Sequence, residues 1–346
     1  MSRLIGWDIG GAHLKAALLS TDGELIDTLQ VPCPLWRGLD KLESAINAVL
    51  VVFKTNPHDI KHAITMTGEL VDLFTNRHEG VIKIAQFVEH LLGRQCQFYA
   101  ANKGFIAINQ VAENTNYIAS TNWHASASLV AHYCHDALLM DIGSTTSDII
   151  VIESGKVLSA ALSDASRLQQ DTLVYTGVIR TPVMVLAQKI VLSGVETNVM
   201  AEYFATTADI YRLTGELDES ADMAETADGQ GKSQLESARR LARMVGYDFE
   251  DKTIDVWVQL AFSCRAAQLM QLKKSVLKHL TPNVPLIGAG AGSFLVKALA
   301  EELKVTYVSI NIILASKMSV TQNVQSLEVC FPAYAAAQLS LKANQV

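Results

Sequence analysis

The stretch Asp8-Ile9-Gly10-Gly11-Ala12-His13 and its counterpart 133 positions on, Asp141-Ile142-Gly143-Ser144-Thr145-Thr146, decide how the chain is read. Each follows a short apolar run, residues 4–7 and 138–140. Each leads into a second apolar run and then a turn, Thr21-Asp22-Gly23 in one case and Ser154-Gly155 in the other. Runs this short, bounded by turn residues, predict strands rather than helices. Residues 4–31 and 137–162 therefore share one plan of strand, tight loop, strand, turn and strand. A period of that length is too long for a solenoid and fits a duplicated domain. A two-lobed molecule with a cleft is expected.

Outward from these blocks the pattern turns helical. Leu42, Ile46, Val49, Leu50 and Phe53 share one helical face, and Val81, Ile84, Ala85, Val88, Leu91 and Leu92 another before Gly93. Strands are expected at 63–66 and near 98–100, which gives the α/β alternation that parallel or mixed sheets require. Ser233 and Glu236 form a capping box opening a helix that Gly246 closes. Further helices are expected at 254–279, 293–303 and 334–341. Residues 214–234 crowd Glu216, Asp218, Glu219, Asp222, Glu225 and Asp228 together. Like charges without apolar anchors predict a solvated mobile loop, with a lid as the functional alternative.

Of 346 residues, 49% are hydrophobic and 18% charged, ample for a large core and against a disordered chain. The net charge of -7 argues against a grip on nucleic acid or an anionic membrane, leaving small-molecule partners. Cys33, Cys96, Cys134, Cys264 and Cys330 are scattered and odd in number, suggesting neither a disulfide framework nor a zinc ribbon and suiting a reducing cytoplasm. No apolar run reaches the roughly 18 residues of a membrane span. The oligomeric state stays open.

The glycine-centred loops carry the chemistry. Adjacent Gly10 and Gly11 let backbone N–H groups approach an anion, and an Asp closing a strand is placed to hold Mg²⁺, commonly through water. A dinucleotide loop would open a helix, whereas this one enters a strand at residues 14–20. The second loop adds Ser144, Thr145, Thr146 and Ser147, whose hydroxyls can donate to phosphate oxygens. A single such loop reads as an ordinary β-turn; two equivalent ones point to phosphate binding. A third loop, Gly288-Ala289-Gly290-Ala291-Gly292, follows an expected strand at 284–287 and precedes a helix. Alone it also fits tight strand-to-helix packing.

Together the three loops resemble the actin, sugar kinase and Hsp70 (ASKHA) superfamily. The resemblance implies an α/β fold of duplicated ribonuclease H-like, actin-like ATPase domains with an interdomain cleft. The first lobe would span 1–130, with the terminal helix 331–343 returning to it. The second would span 131–330, carrying the insertion near 214–234 and the glycine loop 288–292. A narrower set of motifs is Thr67-Gly68-Glu69-Leu70 with Asp72, Asn122-Trp123-His124-Ala125-Ser126-Ala127, Asp141 to Asp148, Arg167-Leu168-Gln169, Val174-Tyr175-Thr176-Gly177 with Arg180-Thr181-Pro182, and Phe204 to Arg212. These resemble a family of the hydantoinase/oxoprolinase branch that serves methanofuran- and methylofuran-type cofactor biosynthesis, linked to tetrahydromethanopterin-dependent one-carbon metabolism.

That resemblance implies condensation of an aminomethylfuran-methyl diphosphate with a tyrosine- or tyramine-like phenol, releasing pyrophosphate. Asp8 and Asp141 would position Mg²⁺. Gly10, Gly11, Gly143, Ser144, Thr145 and Thr146 would bind phosphate oxygens. Arg167 and Arg180 would clamp the diphosphate, against the alternative of surface ion pairs, and Lys15 would neutralise charge unless it faces solvent. Glu69 is the first choice for the base that takes the phenol proton and Asp148 the second; either carboxylate alternatively caps a helix or orients a loop. Trp123 would stack on a ring or belong to the core. Gly288, Gly290 and Gly292 would contact substrate or nucleotide. Asp209 reads as an N-cap before a metal ligand, and His132, Cys134 and His135 lack the further ligands a metal site needs. His13 stands where the archaeal pattern carries Asn. The rival readings are an ATP-dependent kinase or ATP-coupled hydrolase, with ATP as cofactor, and a non-catalytic nucleotide-binding scaffold.

Overall fold

β-Branched and apolar residues alternate with the hairpin turns, and they form strands where the two blocks place them. The computed structural model describes residues 3–158, 162–315 and 324–343; residues 159–161, the end of the second expected repeat, lie outside the described residues. By internal packing the chain divides into two units. One comprises residues 1–137, 150–169 and 309–346, and the other residues 138–149 and 170–308.

The first unit is built on strands β1 (Arg3–Ile9), β2 (His13–Ser20), β3 (Leu25–Pro32), β4 (Lys61–Met66), β5 (Cys96–Tyr99) and β6 (Phe105–Ile106), in the order β3-β2-β1-β4-β5-β6. β1 runs antiparallel to β2 and parallel to β4, and β4 runs parallel to β5. Helices α1 (Leu39–Phe53) and α2 (Arg77–Leu92) bury the faces read from the sequence, joining Leu42, Ile46, Val49 and Phe53 with Val81, Ile84 and Val88 in one core with Ile5, Trp7, Ile9 and Ile64. Asn56 and Asn76 cap neighbouring helical turns, and Gly93, with φ 89°, ends α2. Short helices α3 (Ile108–Val111) and α4 (Thr115–Ile118) lead to α5 (Asn122–Ala131).

The same unit takes in β9 (Lys156–Leu158), α6 (Asp164–Gln169), α11 (Ile310–Ala315), α12 (Val324–Val329) and α13 (Phe331–Ala343). α13 packs on β1, β2, β4 and α5. Gly6 permits that approach, because a Cβ there would collide with the Ala333 carbonyl and lie 2.9 Å from Ala337 Cβ. Residues 150–169, expected in the second lobe, thus cluster with the first. The chain order of the hairpin block hid this, because the block's strands divide between units.

The second sheet has the order β10-β8-β7-β13-β14, from β7 (Ala137–Ile142), β8 (Ser147–Glu153), β10 (Leu173–Val174), β13 (Leu286–Ala289) and β14 (Tyr307–Ser309), with β9 pairing β8. As in the first sheet, the strand before the glycine turn is central and its hairpin partner lies to one side. The second unit adds α7 (Thr207–Thr214), α8 (Gln234–Arg243), the 26-residue α9 (Ile254–His279), α10 (Ser293–Leu303) and the hairpin β11 (Lys189–Leu192) with β12 (Val195–Asn198). The Ser233–Glu236 capping box opens α8 as the sequence indicates. No helix among the described residues is long and apolar enough to cross a membrane.

Residues 214–234 are not the unanchored loop their charge suggests. Asp222 takes two bonds from Arg212 (2.7 and 2.9 Å), Asp228 one from Arg240 (2.9 Å), and Glu216 pairs with Arg265 (2.7 Å). The acids meet cations on α7, α8 and α9, which a reading along the chain does not bring together. Asp209 caps α7 through the Thr206 N–H and also binds Arg212 and the fully buried Arg240. A buried ion set of this kind is costly to break from one side.

Candidate functional site

Both hairpin tips close by the same bond. Gly10 N–H donates to the His13 carbonyl (3.0 Å) and Gly143 N–H to the Thr146 carbonyl (2.9 Å), at equivalent positions of the repeat. The equivalence extends to the next parallel strand: the Ile9 carbonyl accepts from Thr67 N–H after β4, and the Ile142 carbonyl from Gly292 N–H after β13. The turn that carries glycines in the second unit therefore corresponds to the turn that carries Glu69 in the first.

In the first unit the β1–β2 register sets Asp8 opposite Lys15, with Lys15 Nζ 3.7 Å from Asp8 Oδ2. Asn122 Nδ2, at the start of α5, donates to Asp8 Oδ1 (3.4 Å). Burial raises the Asp8 carboxyl above its ordinary value, while Lys15 and Asn122 oppose that rise. Lys15 is thus directed to a buried carboxylate, not merely to solvent.

Glu69 lies in the short helical turn Gly68–Leu70 that follows β4, and is only 1% exposed. A Cβ on Gly80 of α2 would lie 2.6 Å from the Glu69 carbonyl, so glycine there lets the helix reach this turn. Ser120 Oγ donates to Glu69 Oε1 (2.8 Å) and lies 3.4 Å from Asp164 Oδ2, which accepts from Arg77 Nη2 at 2.7 Å. Glu69 Oε2 is buried with no hydrogen-bond partner among the described residues. Burial, with a smaller push from Asp164, moves the carboxyl up to about 7 against the pull of Ser120 and Arg77. A carboxyl titrating near neutrality with a spare oxygen has the properties of a general base.

Trp123 and Arg167 come together in the same unit. The Arg167 guanidinium lies 4.0 Å over the indole, and both side chains are buried. Arg167 is therefore not a surface ion-pair partner, and one face of Trp123 is covered by its cation. Residues 120–123 in this way touch three candidate groups in succession, through Ser120, Asn122 and Trp123. Sequence reasoning gave no role to Ser120, Asp164 or Arg77. Their signal is spatial, since Ser120 and Glu69 stand 51 positions apart.

In the second unit the loop 143–146 is braced by 177–180. Val178 N–H donates to the Gly143 carbonyl (3.0 Å), and Ile179 and Arg180 N–H to the Ser144 carbonyl (3.1 and 2.8 Å). Gly143, Ser144, Thr145, Thr146, Asp141 and Asp148 are half-buried, whereas the Arg180 side chain is exposed. The β8–β10 register sets Asp148 opposite Leu173. The third loop starts later than expected. β13 runs to Ala289, so Gly288 is a strand residue, and a Cβ on it would lie 2.8 Å from the Tyr307 ring. Gly290, with φ 78°, abuts Asp141 and Ile142, and Gly292 abuts Ile142 and Val178. Gly288 thus packs on Tyr307 and Val296, and Gly290 and Gly292 pack on the second hairpin and its brace.

Among the described residues no group of three or more His, Cys, Asp or Glu is placed to hold a metal; His132 Nδ1 lies 2.7 Å from the Ser128 carbonyl. An all-protein cage is thus not the donor set at hand. The buried Asp8 carboxylate and the unpartnered Thr65 hydroxyl, at paired register positions of β1 and β4, are oxygen donors of the kind a hard cation takes together with phosphate oxygens and water.

The hydantoinase/oxoprolinase family profile matches residues 61–321. Over 257 residues, 73% of this chain and 75% of the relative, the sequence is 35% identical to (4-{4-[2-(gamma-L-glutamylamino)ethyl]phenoxymethyl}furan-2-yl)methanamine synthase of Methanocaldococcus jannaschii. The synthase of the same name from Methanococcus vannielii is 32% identical over 173 residues, 49% of this chain and 77% of that protein. A nucleotide-free acetone carboxylase structure matches with a TM-score of 0.55 at 10% identity over 96% of this chain and 70% of that one, a likeness of fold alone. The profile match over most of the chain and the strand order of both sheets agree, and the protein belongs to the hydantoinase/oxoprolinase family with the ASKHA fold.

Proposed function

We propose that this protein forms the aryl ether of a methanofuran- or methylofuran-type cofactor. In the reaction, an aminomethylfuran-methyl diphosphate joins a tyrosine- or tyramine-like phenol and pyrophosphate leaves. The relatives' name describes a phenoxymethylfuran, in which a phenol oxygen is bonded to a furfuryl carbon. The observation that carries the reading is Glu69, a buried carboxyl near neutrality with one unpartnered oxygen, in the turn beside the first hairpin tip.

A furfuryl carbon tolerates cationic character, so the barrier lies mainly in diphosphate departure, and donors aimed at the developing charge do most to lower it. The backbone N–H of Gly11 and the hydroxyls of Ser144, Thr145 and Thr146 are the proposed donors, while Gly10 and Gly143, whose N–H groups close the hairpin tips, shape the loops that carry them. Lys15, Arg167 and Arg180 add positive charge. Asp8 and Asp141 are the proposed carboxylates for Mg²⁺, which when bound would neutralise the leaving group. Glu69 Oε2 takes the phenol proton as the aryl oxygen–carbon bond forms and the carbon–diphosphate bond breaks, its electron pair leaving with pyrophosphate. Asp148 is the alternative base.

The test is ³¹P NMR of the purified protein with Mg²⁺ and either ATP alone or furfuryl diphosphate with tyramine. Pyrophosphate released only when both organic substrates are present supports the condensation. ADP production in their place overturns it in favour of ATP chemistry. Turnover of neither overturns it in favour of a non-catalytic scaffold.

A further inference from the structure

We propose that Ser120, Asp164 and Arg77 are positioning residues for Glu69: the Ser120 hydroxyl fixes one carboxylate oxygen so that the other meets the acceptor, and Asp164, held by Arg77, adjusts how tightly Glu69 keeps its proton. This rests on the role of Glu69 as base proposed above. The four side chains come from the turn after β4, the α4–α5 junction, α6 and α2, so no local motif joins them.

The geometry limits what Ser120 can do. Its single hydroxyl hydrogen has two carboxylate acceptors, Glu69 Oε1 at 2.8 Å and Asp164 Oδ2 at 3.4 Å, and it favours the nearer while Glu69 is ionised. Oε2 is then the free basic site. Once Oε2 holds the phenol proton, Glu69 is neutral and the Ser120 hydrogen can turn to Asp164 Oδ2, the oxygen that also accepts from Arg77. Ser120 adopts φ 52°, a left-handed conformation uncommon for serine, and such backbone persists where the surroundings impose it.

The other charged groups nearby are engaged elsewhere. On α2, His78 Nδ1 lies 2.9 Å from Thr115 Oγ1, and Glu79 accepts from the Thr75 N–H and pairs with Lys83. Asp72 is exposed. The charges that act on Glu69 are therefore Asp164, which favours its protonated form, and Arg77, which favours its ionised form.

Opposite displacements follow for two conservative changes. Asp164→Asn removes a like charge and should lower the Glu69 midpoint by about one pH unit. Ser120→Ala removes a bond to the ionised form and should raise it. Ser120→Gly removes the same hydroxyl while relieving the left-handed backbone, so it separates the bond from folding strain. Two readouts are taken on the full chain: the acidic limb of kcat/KM for the condensation, and the ¹³C NMR titration of glutamate-labelled protein, with the Glu69 signal identified by its loss in Glu69→Gln. Midpoints moving down in Asp164→Asn and up in both Ser120 variants support the inference. Unmoved midpoints, or displacement in one shared direction, overturn it even if condensation proceeds. Opposite displacements in the NMR titration without condensation in the parent protein overturn the reaction and leave the coupling of the four groups in place.

Discussion

The Arg167 guanidinium rests 4.0 Å above the Trp123 indole, with only 1% of the arginine and 2% of the tryptophan exposed. A cation so far out of water needs compensation, and stacking on the largest aromatic face supplies on the order of 2 kcal/mol when desolvated. The contact also ties α6 to α5, holding Asp164 within reach of Ser120. Its charge in turn lowers the neighbouring His124, though burial is the larger cause there.

Arg167→Lys keeps the charge and loses the planar stack, while Arg167→Met keeps much of the bulk and loses the charge. If Arg167 binds diphosphate, Lys should weaken Mg-pyrophosphate binding about tenfold, and Met more, in isothermal titration. Unchanged affinity in both variants would show that the arginine serves packing alone.

The parts of this molecule legible in the sequence are those whose causes lie within a few residues. The two hairpin tips are closed by bonds spanning three positions, Gly10 to His13 and Gly143 to Thr146. The α8 cap needs only Ser233 and Glu236. The arrangement around Glu69 has no such local cause: Ser120 comes from 51 positions away and contacts Asp164 a further 44 on. Residues 214–234 misled for the same reason, since Arg240 and Arg265 lie outside the acidic run they neutralise. Gly288 misled differently. The position expected to be a loop residue is the third residue of β13, where the absence of a side chain admits the Tyr307 ring from 19 positions on.

Glu69 makes stability depend on alkalinity. Its carboxyl is raised from 4.5 to about 7 in the fold, so between those values the native state holds more proton than the unfolded chain. That contribution is fully present below about pH 4.5 and is lost as the pH rises through about 7. Glu69→Gln, which carries no charge to bury, should match the parent near pH 5 and exceed its Tm by about 5 °C above pH 8 in calorimetry. A constant difference across that range would remove the raised carboxyl.

Two buried histidines act on the acid side. His62 Nδ1 accepts from Trp7 Nε1 (3.0 Å), leaving Nε2–H to donate to the Pro57 carbonyl (2.9 Å), which requires the neutral ring. His124 is bonded to Tyr99 and Asn102. Burial lowers both from 6.5 to about 4, so the unfolded chain binds more protons in that interval. Their contribution is present above about pH 6.5 and is lost as the pH falls toward about 4. The dependence of Tm on pH should therefore be steep there and become shallower in His62→Gln. An equally steep profile in that variant would place the acid lability elsewhere.

Gly177 gives the sharpest steric test of the second hairpin. A Cβ there would lie 2.5 Å from Ser144 C and Thr145 N and 2.6 Å from the Gly143 carbonyl oxygen. All three are backbone atoms of the hydroxyl loop, which cannot rotate aside. At Gly11 of the first hairpin the nearest obstacle is Val71 Cγ1 at 2.8 Å, the end of a side chain that can move. Gly177→Ala must therefore displace residues 143–145 or detach the 177–180 brace, at a cost of about 2 kcal/mol, whereas Gly11→Ala should cost under about 1 kcal/mol. If the second loop binds phosphate oxygens, Gly177→Ala should also weaken Mg-pyrophosphate more than tenfold, because donors displaced by even 1 Å lose their alignment. A folded Gly177→Ala protein with lowered Tm and undiminished pyrophosphate affinity would confine the role of this loop to structure, and would leave the first hairpin, with Asp8 and Lys15, to bind the phosphate.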